Sequence, residues 1–226
     1  IFGEKNNKYI LGRYDRTFHY KDIYPRDYIK FFKERISEGN FKKYHTSFGL
    51  QVKIYGLVNN IIKLNLNYLK LINVLILSTL ILSLTIILKN HFSYAASFFF
   101  FITYIILPWN IAFANEIRLI QWTWLLPICV IFFFNISRDL NKYKNIIMMN
   151  LFIFLTLLFK LLVSYEFITT IIIFIISVQL YFSVLNFNTF KKFFYETLPL
   201  FFVICFSVLI ALFIHFFSFD NVNLHN

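Results

Sequence analysis

From residue 71 onward the apolar residues come in long unbroken runs separated by short polar loops, not at the spacing of a half-buried helix or strand. A helix that crosses a bilayer needs roughly 17–25 predominantly apolar residues. Six stretches approach or reach that length: 71–88, 92–114, 119–134, 146–163, 167–185 and 198–218. The fifth is rich in Ile and Thr, which in water would favour a strand. In lipid the backbone must satisfy its own hydrogen bonds, so a helix is expected there too. Pro108 and Pro127 lie inside the second and third runs and are expected to kink them, since each removes one ladder donor. The pattern predicts an all-α polytopic membrane protein with about six transmembrane helices.

The first 70 residues differ. Tyr14, Phe18, Tyr20, Tyr24, Tyr28, Phe31, Phe32, Phe41, Tyr44 and Phe48 are too many aromatics for a solvated tail. Within residues 27–36, Tyr28, Phe31, Phe32 and Ile36 share one helical face while Lys30, Lys33, Glu34 and Arg35 fall elsewhere. Such a helix would lie along a membrane surface. Pro25 suits its start, and residues 37–40 end it. A mostly apolar, interrupted stretch over 48–66 is expected to form a second interfacial helix leading into the first span. The chain begins at Ile1 without a Met and stops in a polar tail, 219–226, read as the start of an outer loop. It is therefore expected to be a fragment of a longer protein.

Composition agrees with the pattern: 59% of residues are hydrophobic, 32 are Phe, only 15% are charged, and mean hydropathy is +0.66. That is more apolar surface than a water-soluble fold of this size can bury. Charge then sets the expected orientation. With strict alternation one set of loops holds Lys89, Arg138, Lys142, Lys144, Lys191 and Lys192, whereas the opposite set holds Arg118, with Lys160 inside a span near that side. The rule that basic loops stay in the cytoplasm puts residues 1–70 outside. That segment carries 14 of the 22 Lys and Arg, but long segments translocate largely regardless of charge. A net charge of +11 would point to nucleic acid in a soluble protein. Here it divides between cytoplasmic loops and an outer segment beside anionic headgroups, and no nucleic-acid motif or Gly-rich phosphate loop occurs. Cys129 and Cys205 lie within apolar runs and define no disulfide framework.

Three polar clusters fall on the expected outer side. The first is Gly12-Arg-Tyr-Asp15 with His19, Asp22 and Asp27. The second runs from Trp109-Asn110 through Asn115-Glu-Ile-Arg118 to Gln121-Trp-Thr-Trp124, and the third is Lys160, Tyr165 and Glu166. Ionisable groups at membrane depth usually face a polar cavity or each other. A carboxylate such as Asp15 or Asp22 could take a proton from an acceptor hydroxyl while Arg118 or Lys160 neutralises a leaving phosphate. Each residue also has a plainer reading. Trp109, Trp122 and Trp124 suit interfacial anchoring, Lys160 could snorkel or pair with Glu166, and Glu116 with Arg118 could be an ordinary loop pair. His19, His45, His91 and His215 lack ligand spacing, so no metal site and no cofactor is expected.

Tyr44-His-Thr-Ser-Phe-Gly-Leu-Gln51, then Trp109 and Phe113-Ala-Asn115, then Gln121-Trp-Thr-Trp-Leu-Leu-Pro127, then Ser164-Tyr-Glu-Phe-Ile-Thr-Thr170 resemble segments of bacterial polytopic membrane proteins. Those proteins are similar to the GT-C superfamily of lipid-linked-sugar glycosyltransferases. The resemblance implies a polyprenyl-phosphate-linked sugar donor, a glycan or lipid acceptor, and inverting transfer on the outer face of a bacterial inner (plasma) membrane. It further implies Asp15 as catalytic base, with Asp22 as the runner-up, and Arg118 and Lys160 against donor phosphate, flanked by Glu116 and Glu166. A transporter, flippase or polymerase-type subunit of envelope polysaccharide export is the alternative from another class. It would be favoured by an internal repeat or by broken helices at the bilayer midplane, and the halves show no repeat.

Overall fold

The computed structural model describes residues 2–5, 8–14, 41–43, 48–62, 66–108, 110, 114, 120–136, 142–186 and 190–223. Three short strands, β1 (Phe2–Lys5), β2 (Lys8–Tyr14) and β3 (Phe41–Lys43), form an antiparallel sheet in the order β1-β2-β3. Phe2 pairs with Leu11 and Tyr14 with Phe41. The sequence pattern gave no sign of these strands. The expected amphipathic helix over 27–36 lies outside the described residues. The expected second helix is present as α1 (Leu50–Ile62), entered through Gly49 in the left-handed region (φ 69°), where a glycine pays no Cβ penalty. α1 packs against β2.

Among the described residues six further helices follow: α2 (Leu66–His91), α3 (Tyr94–Ile106), α4 (Trp122–Ile136), α5 (Lys142–Val163), α6 (Ile168–Asn186) and α7 (Phe190–Asn223). Four contain segments long and apolar enough to cross a membrane: Asn67–His91, Lys144–Val163, Ile168–Leu185 and Thr197–Phe217. On α2, Leu71, Leu75, Leu82 and Ile86 are more than half exposed, as are Phe201, Phe202, Leu209 and Phe213 on α7. Apolar faces that continuous suit acyl chains as their solvent. Hydroxyls on α2 are satisfied within the helix: Ser78, Thr79, Ser83 and Thr85 each donate to the carbonyl four residues back, at 2.7–2.9 Å. The chain is a multi-pass helical membrane protein.

α3 and α4 are shorter, at 13 and 15 residues. At 1.5 Å per residue they span about 20 and 22 Å against a hydrocarbon core of about 30 Å. The expected helix over 92–114 is not continuous. α3 stops at Ile106, and Leu107 is extended (ψ 115°) because the ring of Pro108 crowds the helical conformation of the residue before it. Helical backbone resumes at Pro108, where a missing N–H costs nothing, so the expected kink is a full break. Pro127 does lie inside α4, buried. Residues 219–223, read as the start of an outer loop, continue α7 as helix.

α4 is the hub, packed against α2, α5 and α6, while α5 also packs against α7 and α1. The core joins Ile131 and Phe132 of α4 to Ile153, Leu157 and Leu161 of α5, Ile171, Ile175 and Phe182 of α6, and Leu200, Ile204 and Ala211 of α7. α3 is tied to α2 by Ser97, whose buried hydroxyl donates to the Thr85 carbonyl at 2.8 Å, and its N-terminus is capped by Ser93.

Candidate functional site

Because successive helices run back and forth, the starts of α2, α4 and α6 and the ends of α3, α5 and α7 meet at one end of the bundle. The chain reverses there through two residues with positive φ, Ile120 (43°) and Phe167 (60°). A β-branched residue in that region carries strain of about 1–3 kcal/mol. Thr123 holds the Ile120 turn, its Oγ1 donating to the Ile120 carbonyl at 2.8 Å.

Lys160, three residues from the end of α5, is completely buried. Its Nζ donates to the Ser164 carbonyl at 2.8 Å and to Ser164 Oγ at 2.7 Å, and lies 5.7 Å from the centre of the Trp124 ring. The lysine thus caps its own helix, putting positive charge where the helix dipole favours it and answering an orphan carbonyl. Of the two plain readings of Lys160, snorkelling does not fit, because the side chain is buried; Glu166, exposed in the next loop, acts on the ammonium through its charge while the hydrogen bonds go to Ser164. Trp124 in turn packs on Phe167 at 4.6 Å. In the same loop the Tyr165 hydroxyl lies 2.9 Å from His215 Nδ1 and donates to the Ala211 carbonyl at 3.4 Å, fastening the α5–α6 connection to α7. Burial raises the Tyr165 pKa above its ordinary value.

A second node sits where α1 meets the bundle. Asn73 Oδ1 accepts from the Tyr55 hydroxyl at 2.7 Å and from Trp122 Nε1 at 2.8 Å. Burial pushes the Tyr55 phenol up to about 12, partly offset by that bond to Asn73. Trp122 also stacks on Phe159 of α5, ring centres 5.7 Å apart. Alongside, Gln121 Nε2 donates to Asn110 Oδ1 at 3.1 Å, and Asn110 Nδ2 donates to the Tyr104 carbonyl at 3.0 Å. Two buried atoms of this layer, Asn73 Nδ2 and Gln121 Oε1, have no hydrogen-bond partner among the described residues. Each such atom costs about 1–3 kcal/mol unless a bound group answers it.

Of the residues expected from sequence, the structure brings Lys160, Tyr165, Gln121, Trp122, Trp124 and Asn110 to this end, with Glu166 exposed at its rim. Asp15, Asp22, Glu116 and Arg118 lie outside the described residues. Asn73 and Tyr55 were not expected; the only sign of Asn73 is an amide set within an apolar run. Among the described residues no group of three or more His, Cys, Asp or Glu is placed to hold a metal ion.

The opposite half of the bundle has a neutral network. Asn135 Nδ2 donates to the Ile131 carbonyl at 2.9 Å and to Gln179 Oε1 at 3.1 Å, and Gln179 Nε2 donates to Ser183 Oγ at 3.4 Å. No family model matches the chain, and neither a curated protein nor a solved structure matches it.

Proposed function

We propose that this chain is a membrane glycosyltransferase-like protein that transfers a sugar from a polyprenyl-phosphate donor during cell-envelope glycan assembly, at the non-cytoplasmic face. One observation carries the reading: the aromatic-rich segment that precedes the first span docks, through Tyr55 and Asn73, on the bundle end that gathers the buried cation, the amides and the tryptophans. A membrane enzyme acting on a lipid-linked substrate needs that combination, with polar groups at headgroup depth beneath a covering segment from outside. In this reading Asp15, next after the last residue of β2, is the base, Asp22 is its runner-up, and Arg118 meets donor phosphate. Lys160 fixes the end of α5 and contributes its positive field to the site without touching the donor.

In the full-length protein, Asp15→Asn is expected to abolish transfer from a lipid-linked sugar with expression unchanged. Undiminished turnover would remove Asp15 from the mechanism. A second reading, a transporter or flippase of envelope polysaccharide, is favoured by the Asn135–Gln179–Ser183 network, which provides polar groups in the other half of the bundle. Translocation of a fluorescent lipid-linked sugar in vesicles, unaffected by Asp15→Asn, would select it.

A further inference from the structure

A helix broken at membrane depth frees a carbonyl that lipid cannot answer, and α3 ends in such a break. Ser97 of α3 is bonded to the Thr85 carbonyl of α2. Ten residues further along α3, and ten back along the antiparallel α2, Leu107 lies level with Leu75. That is about 12 Å inside the start of the Asn67–His91 span. In an unbroken helix the Tyr104 carbonyl would accept from the backbone N–H of residue 108, but Pro108 has none. Asn110 supplies the missing donor, its Nδ2 3.0 Å from that carbonyl. The Asn110 N–H also donates to the Leu107 carbonyl at 3.0 Å, so the break is a closed turn.

The same side chain belongs to a path of bonds through four elements. Asn110 Oδ1 accepts from Gln121 Nε2 at 3.1 Å, and Gln121 precedes Trp122, whose indole donates to Asn73 Oδ1 of α2 at 2.8 Å. That oxygen accepts in turn from Tyr55 of α1 at 2.7 Å. Gln121 and Trp122 cannot swing independently, because the Thr123 and Trp124 N–H groups bond back to the Ile120 and Gln121 carbonyls, each at 3.0 Å. Ile106 and Leu107 are 67% and 43% exposed, so the break lies on the outside of the bundle, against acyl chains. We infer that α1 is a latch on this break: docked through Tyr55 it holds the turn at Pro108 closed, and undocked it lets the turn open towards the bilayer. In a low-dielectric interior each bond of such a path strengthens the next, so loss of the first loosens the last. An open turn gives access to the polar end sideways, from among the acyl chains. The latch serves transfer and transport alike.

The test is backbone hydrogen exchange, read by mass spectrometry on the full chain in nanodiscs. Tyr55→Phe removes the bond from α1 and leaves the Trp122–Asn73 contact in place. It is expected to speed exchange over residues 104–110 about fivefold, the weight of one hydrogen bond on a local opening equilibrium, and to leave residues 171–183 of α6 unchanged. Should Tyr55→Phe fail to fold, Trp122→Phe, which removes the indole donor, carries the same expectation. Unchanged exchange over 104–110 would overturn the latch. An equal rise over 171–183 would also overturn it, α1 then being a support for the whole bundle. The turn is tested separately. Asn110→Ala is expected to speed exchange over 104–110 by a similar factor, and Pro108→Ala, which restores a backbone N–H for the Tyr104 carbonyl, to cancel that effect. An Asn110→Ala effect of the same size with and without Pro108 would show that Asn110 does not stand in for the missing donor, and would sink the latch with it.

Discussion

The two halves of the bundle bury polar groups in different ways. Asn135, Gln179 and Ser183 form a neutral amide–hydroxyl chain between α4 and α6, the kind of contact that holds transmembrane helices together. At the other end Lys160 brings a full charge into the interior, satisfied by one serine and an aromatic face, and two reversals run through residues in the left-handed region. The neutral chain can be replaced as a whole by hydrocarbon at little cost, because its members satisfy one another and leave together. The charged end cannot be trimmed one residue at a time without leaving something buried and unmet. Arrangements that are costly in this way, concentrated on one side of a membrane, mark the region that interacts with something other than lipid.

Substitutions measured by unfolding in detergent should separate the two halves. The largest effect is expected from Asn73→Leu, which strips both Tyr55 and Trp122 of their acceptor: a loss of about 3 kcal/mol. A loss below 1 kcal/mol would mean that α1 is not held by this node. Ser164→Val should cost about 2 kcal/mol, since the ammonium stays buried with one acceptor fewer. Lys160→Met should cost less, about 1 kcal/mol, because the charge departs with its partner's function. If Lys160→Met proves the more damaging of the pair, the lysine is held by an anion outside Ser164. The smallest effect is expected at the neutral end, where replacing both partners, Asn135→Leu with Gln179→Met, should cost about 0.6 kcal/mol. A loss there as large as that at Asn73 would erase the distinction between the halves.

Much of the fold could be read from hydropathy. The apolar runs 71–88, 146–163, 167–185 and 198–218 coincide with helices long and apolar enough to cross a membrane. The runs 92–114 and 119–134 show where that reading stops, because their helices are bounded by Pro108 and by the reversal at Ile120 and not by any change in polarity. At the candidate site, Lys160, Gln121 and Trp124 stood out as polar or amphipathic residues within apolar sequence. Asn73 did not, and its importance comes from partners 18 and 49 residues away. Contacts of that range have no signature in a single sequence. The sheet of β1, β2 and β3 was hidden likewise, since Phe2-Gly-Glu-Lys5, Lys8-Tyr-Ile-Leu-Gly-Arg-Tyr14 and Phe41-Lys-Lys43 carry no sustained apolar–polar alternation.

The account depends above all on the Lys160–Asn73 end facing away from the cytoplasm. In full-length protein with Cys129 and Cys205 replaced by Ser, single cysteines would be placed at Glu166, exposed in the α5–α6 connection, and at Lys144, exposed at the start of α5. In intact cells a membrane-impermeant maleimide is predicted to label Glu166→Cys at once and Lys144→Cys only after permeabilisation. The reverse order would put the polar end in the cytoplasm and contradict the proposed transfer at the outer face.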